Sequence, residues 1–124
     1  MNSLDKALLC VNIILERKAT DLVLFEVEKL TSITDYFLIA SGKSSRQVQA
    51  VAEHLQRRMK EEGLRPFGVE GERDGHWILL DYGDVVVHLF YQPIREFYDL
   101  EGLWIEAPRV EIDKRAIKPA PQPM

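Results

Sequence analysis

The sequence has one cysteine, Cys10, and three scattered histidines. No internal disulfide can form, and no cluster of soft ligands is present to complete a structural zinc site. Nor is there any apolar run near the roughly 20 residues that a membrane-spanning helix needs. The start, Met1-Asn2-Ser3-Leu4-Asp5-Lys6, lacks the basic segment, apolar stretch and small-residue cleavage site of a secretory signal, so a cytoplasmic protein without membrane partners is expected. No internal repeat is apparent. A basic stripe is also missing: residues 1–69 carry ten Lys/Arg against nine Asp/Glu, and residues 70–106 carry nine acids against only Arg73 and Arg95. Phosphate neutralisation supplies most non-specific nucleic-acid affinity, so this distribution argues against sequence-specific nucleic-acid binding and suits a basic protein partner. What is present is ordinary globular composition: 124 residues, 46% hydrophobic and 29% charged, enough for one core.

Leu4, Ala7, Leu8, Val11, Ile14 and Leu15 recur at helical spacing and predict a first amphipathic helix over 3–18. Asp21–Val27 and Tyr36–Ala40 read as strands, the second apolar throughout and therefore central, with both faces covered. Ser44 with Gln47 three residues on forms a capping box for a second helix, whose apolar face is Val48, Val51, Ala52, Leu55 and Met59 and which Gly63 ends. Arg65–Val69 contains Pro66, so it is placed at a sheet edge. His76–Asp81 and Val85–Tyr91 are joined by Tyr82-Gly83-Asp84 as a hairpin. Pro93 opens a short third helix carrying Ile94, Phe97, Tyr98 and Leu100. The expectation is an α/β fold, a single domain over 1–107 with a mixed sheet of about five strands and flanking helices. Residues 108–124, with Pro119, Pro121 and Pro123, are expected to be a flexible tail.

Gly42-Lys43-Ser44 looks like the end of a phosphate-binding loop, but that pattern needs a glycine at 37, where Phe37 stands in a strand. The helix cap explains these residues. Asp81 and Asp84 flank the hairpin turn, where aspartates commonly bond nearby backbone N–H groups, so they need not be a metal pair. His88 has no neighbouring nucleophile or second histidine, which favours a structural or interface role over catalysis. Strand alternation assigns Val85, Val87 and Leu89 to the core and leaves His88 and Phe90 on a face expected to be exposed. If Trp77 is exposed with them, the patch is an aromatic, acid-rimmed binding surface; the competing reading is that a helix covers Trp77. Trp104 and Tyr98 are expected to pack that helix onto the sheet.

The stretch from Trp77 to Phe90, WILLDYGDVVVHLF, resembles the ribosomal silencing factor family, also called RsfS or Iojap-like, and Arg95 to Trp104, REFYDLEGLW, continues the likeness. Thr34 to Gly42 and Ser45 to Val48 are similar to the family's first half. The resemblance runs from about Leu4 to Val110. It implies a factor that binds the large ribosomal subunit through a basic ribosomal protein on the intersubunit face, keeps the small subunit from joining, and so lowers translation when nutrients are short. It also implies a nucleotidyltransferase-like topology without catalytic residues, hence no enzyme activity, cofactor or metal; no Asp-x-Asp pair follows Ser41-Gly42. On alternation and charge, the expected partner-binding residues are Trp77, Leu79, Asp81, Asp84, His88 and Phe90, then Tyr98 and Glu101. A nucleotide-binding enzyme using Ser41–Ser44 with Asp81 and Asp84, and a homodimerisation module burying the hairpin face, are the other two readings.

Overall fold

A computed structural model describes residues 1–112. The helix α1, Ser3–Glu16, is followed by β1, Thr20–Glu26, and β2, Tyr36–Gly42. Next come α2, Ser45–Glu61, then β3, Gly68–Glu70, β4, Trp77–Asp81, and β5, Val85–Tyr91. The chain closes with α3, Gln92–Tyr98, a 3-10 turn, Leu100–Trp104, and β6, Arg109–Val110. The strands form one mixed sheet in the order β3-β4-β5-β2-β1-β6. β2 and β5 run parallel at its centre, Tyr36 opposite Val85 through Gly42 opposite Tyr91, and every other pair is antiparallel.

The central place expected for β2 follows from its composition, and all seven of its residues are buried. On one face, Ala7, Cys10, Val11 and Ile14 of α1 and Val48, Val51, Leu55 and Met59 of α2 pack on Leu38, Ala40, Leu80, Val85, Val87 and Leu89. The aliphatic half of β5 thus lies in the main core, as alternation requires. The other face carries a second, smaller cluster of Phe25, Phe37, Ile39, Val86 and Phe90, covered by Ile94, Leu100 and Trp104 from the C-terminal segment.

Local chemistry sets the element ends. Ser44 Oγ accepts from the Gln47 N–H at 3.0 Å, while Gln47 Oε1 accepts from the Lys43 N–H at 2.7 Å, one residue before the cap itself. The reciprocal bond of the expected capping box has therefore moved to the preceding residue. The same Gln47 amide donates to the Arg17 and Lys18 carbonyls, pinning the end of α1 to the start of α2. β3 is three residues long and begins beyond Pro66, which has no N–H to offer the ladder; pairing with β4 is first made by the Phe67 N–H to the Asp81 carbonyl, 2.7 Å. At Gly71, φ is +86° and a Cβ would stand 2.0 Å from the Trp77 carbonyl oxygen, so the turn from β3 into β4 admits only glycine.

One detail of the expected sheet is refined. The sheet has six strands, because Arg109–Val110 pairs with Phe25 and Leu24 and the Glu26 N–H donates to the Pro108 carbonyl at 2.8 Å. A two-residue strand held by its partner's backbone leaves no periodicity to read, and it lies past the boundary drawn at 107. The rest of the tail, 113–124, is outside the described residues.

Candidate protein-docking site

The side chains of Trp77, Leu79 and Asp81 alternate out of β4 onto the sheet face opposite α1 and α2, all three half-buried. α3 packs mainly over β5 and β2 and meets β4 where Tyr98 lies against Trp77. Between this strand and the 3-10 turn lies a cleft of about 340 Å³. Its walls include Phe37, Leu79, Val86, Leu100, Leu103 and Trp104, and its acids are Glu70 and Asp81. A second hollow, about 290 Å³, shares Glu70 and Leu79 and continues past Trp77 to Gly71. Ile33 and Leu103, each 75% exposed, extend the apolar lining to the surface.

The expected exposure of His88 and Phe90 is not found: they are 5% and 0% exposed. Alternation placed them on the correct face, but α3 and the 3-10 turn fold back over it. The Trp77 ring stacks on Phe90 at 4.8 Å between centroids and packs against Tyr98 at 5.1 Å. Its Nε1–H donates to His88 Nδ1 at 3.1 Å. Phe37 meets the edge of the His88 ring at 5.3 Å and Trp104 at 5.0 Å. Burial pushes the His88 pKa down to about 4, so the imidazole is neutral at pH 7. Trp77 is thus covered in part by α3, and Tyr98, 55% exposed, is both packing residue and rim.

The three acids named from sequence separate. Asp81 lies at the cleft, with one carboxylate oxygen accepting from the Gly83 N–H at 2.8 Å. Asp84 is turned inward to Lys6, whose ammonium lies 2.6 Å from Oδ1 and also donates to the Tyr82 carbonyl, tying α1 to the hairpin turn. Glu101 accepts from Arg95 Nε at 2.9 Å and from Nη2 at 3.1 Å. Arg95, 6% exposed, also donates from Nη1 to the Asp21 carbonyl and to Ser41 Oγ, both at 2.7 Å. The guanidinium holds the Glu101 carboxyl below the usual carboxylate range. Glu70 was missed, along with Ile33, Leu100 and Leu103; no local pattern marks residues that meet only when the 3-10 turn crosses the sheet.

Among the described residues no group of three or more His, Cys, Asp or Glu side chains is placed to hold a metal ion. Asp81 and Asp84, weighed above as a metal pair and set aside in favour of turn bonding, each have a separate partner, the Gly83 N–H and the Lys6 ammonium. The Lys43 backbone N–H and the Ser44 hydroxyl are bonded at the start of α2. Among the same residues no helix is long and apolar enough to cross a membrane.

The family described as "ribosomal silencing factor during starvation" matches residues 1–123. The ribosomal silencing factor RsfS of Halalkalibacterium halodurans is 39% identical over 113 residues, covering 91% of this chain and 97% of that protein. The protein of the same name from Haemophilus influenzae is 45% identical over 87 residues, 70% of this chain and 85% of that one. A chloroplastic Iojap protein of Zea mays is 35% identical over 100 residues, 78% of this chain but 42% of its own length. The fold is shared with a crystal structure of a Chromobacterium violaceum protein, at a TM-score of 0.82 and 38% identity, over 84% of this chain and 87% of that one. Match over nearly the whole length, at this identity and with the same mixed sheet, places the chain in the ribosomal silencing factor family.

Proposed function

We propose that this protein represses translation by binding the large ribosomal subunit through a basic ribosomal protein on its intersubunit face and sterically blocking the small subunit. The observation that carries this reading is the acid-rimmed apolar cleft beside β4, on the part of the sheet that α3 leaves uncovered. Apolar walls surrounded by charge are the usual anatomy of a docking site, and Glu70 and Asp81 favour a cationic partner. Two rigid bodies cannot share one surface, so blocking needs affinity and bulk and no turnover; the protein acts in the cytoplasm, without a cofactor and not as an enzyme. Trp77, Leu79, Asp81 and Tyr98 make contact with the partner. His88 and Phe90 support Trp77 from beneath, Glu101 holds the 3-10 turn through Arg95, and Asp84 holds the hairpin through Lys6.

The test is co-sedimentation of the protein with separated large and small subunits, beside a Glu70→Lys, Leu103→Asp double variant whose changes lie at exposed rim positions. Wild type is expected to pellet with large subunits only, and the folded variant to remain in the supernatant. Failure of wild type to bind at low and moderate salt refutes subunit blocking; a concentration-dependent dimer that the same two changes disrupt then assigns the cleft to self-association.

A further inference from the structure

Five side-chain polar atoms among the described residues are buried without a hydrogen-bond partner: Asn12 Oδ1, Tyr82 OH, His88 Nε2, Gln92 Oε1 and Trp104 Nε1. Native proteins leave few such atoms, because an unmade buried bond retains the cost of desolvation. Two of the five, on His88 and Trp104, belong to side chains that line the same cleft. Both are donors. The indole nitrogen can only donate, so the Trp77 Nε1–H bond to His88 Nδ1 requires that Nδ1 be bare and that the neutral ring carry its proton on Nε2. Trp104 Nε1–H is a donor by its chemistry. No free acceptor among those five atoms lies on a cleft-lining side chain, and the charged groups of the lining are Glu70 and Asp81, neither in an ion pair among the described residues.

Resting on the docking reading above, we propose that the cleft is bipartite: the N–H groups of His88 and Trp104 take a backbone carbonyl of an inserted segment of the basic partner, and Glu70 and Asp81 take a neighbouring Lys or Arg side chain. Two unpaired donors call for an oxygen acceptor, and two carboxylates outside any ion pair among the described residues call for a cation. A protein segment offers both within adjacent residues, whereas a phosphate-rich RNA strand is repelled by the acids. Both nitrogens are sealed from water, so the acceptor enters only with a side-chain shift in the wall. Leu103 and Ile33, the most exposed hydrophobic residues of the lining, are the apolar side chains with least packing to lose. The donors then act as specificity elements: they cost stability in the free protein and are satisfied only in the complex, as in sites that reject a partner lacking the matching group.

The test compares binding and melting in the full chain, using purified large subunits as the probe. Trp104 is replaced by benzothienylalanine, which keeps the shape of the indole and lacks the N–H. His88→Phe is made on a Trp77→Phe background and compared with Trp77→Phe alone, so that no indole donor is stranded. Each donor removal is expected to raise Kd at least tenfold, or about 1.4 kcal/mol, and to leave the thermal midpoint unchanged or higher. A photo-crosslinker at Leu103 is expected to label a basic ribosomal protein. Unchanged affinity in both variants, with wild type still binding, overturns the bipartite cleft and leaves subunit binding standing; wild type failing to bind removes both. A lowered midpoint in the benzothienylalanine protein shows that the indole is paired in the free state and refutes the proposal, as does labelling of ribosomal RNA alone.

Discussion

Glu101→Gln tests whether one buried arginine holds the C-terminal segment against the sheet. Arg95 makes four bonds while 6% exposed, two to Glu101 and one each to the Asp21 carbonyl and Ser41 Oγ. Removing one partner of a fully buried pair costs about 3–5 kcal/mol, because a charge is left uncompensated. Glutamine keeps one acceptor and the Glu101 side chain is 26% exposed, so a loss of ~2 kcal/mol is expected. At this chain length that lowers the thermal midpoint by about 8 °C. The pH dependence has a defined sign: the folded pKa of Glu101 lies below its unfolded value, so its contribution is complete above about pH 4.5 and is lost as pH falls through the lowered folded pKa. The variant should therefore converge on wild type in acid. Because Leu100, Leu103 and Trp104 sit on the same 3-10 turn, subunit affinity should fall as well. Thermal melts by circular dichroism from pH 7 to pH 3 measure this, and a midpoint within 2 °C of wild type at pH 7 refutes the assignment.

Burial lowers the His88 pKa from 6.5 to about 4, so the unfolded chain binds the proton more readily and stability should drop as pH falls from 6.5 toward 4, by on the order of 3 kcal/mol; urea melts should show this slope in Trp77→Phe and not in Trp77→Phe/His88→Phe. Gly71→Ala places a Cβ 2.0 Å from the Trp77 carbonyl oxygen at φ +86°, and an unfolding free energy at least about 2 kcal/mol lower is expected in urea; a change under 0.5 kcal/mol would show that the turn relaxes. The thiol of Cys10 is fully buried and its pKa is pushed up to about 12, so a colourimetric disulfide reagent at pH 8 should react only after denaturant is added, and rapid reaction with the native protein would contradict that packing.

Helix and strand identity were legible because they depend on side-chain period and local capping. The apolar spacing of α1, the Ser44 cap, the unbroken Tyr36–Ala40 run and the Tyr82-Gly83-Asp84 turn all survive in the fold. Alternation along β5 also sorted Val85, Val87 and Leu89 from Val86, His88 and Phe90. It could not say whether the second set meets water, since that depends on a segment arriving from further along the chain. Asp84 and Glu101 looked like free acids for the same reason: their partners, Lys6 and Arg95, are 78 and 6 residues away, and charge alone does not reveal pairing.

By itself, then, the sequence determined the helices and the first five strands, the central strand, the hairpin, the acidic second half and the family likeness, all of which rest on local residue patterns or on overall composition. Only the tertiary structure decided that α3 and the 3-10 turn bury His88 and Phe90 of β5 but leave Trp77, Leu79 and Asp81 of β4 half-buried, that Arg109–Val110 completes the sheet, and that Ile33, Glu70, Leu79 and Trp104 meet around one cleft. The physical reason is range: periodicity records which way a side chain points, whereas burial and pairing are set by whatever the rest of the chain brings to that face.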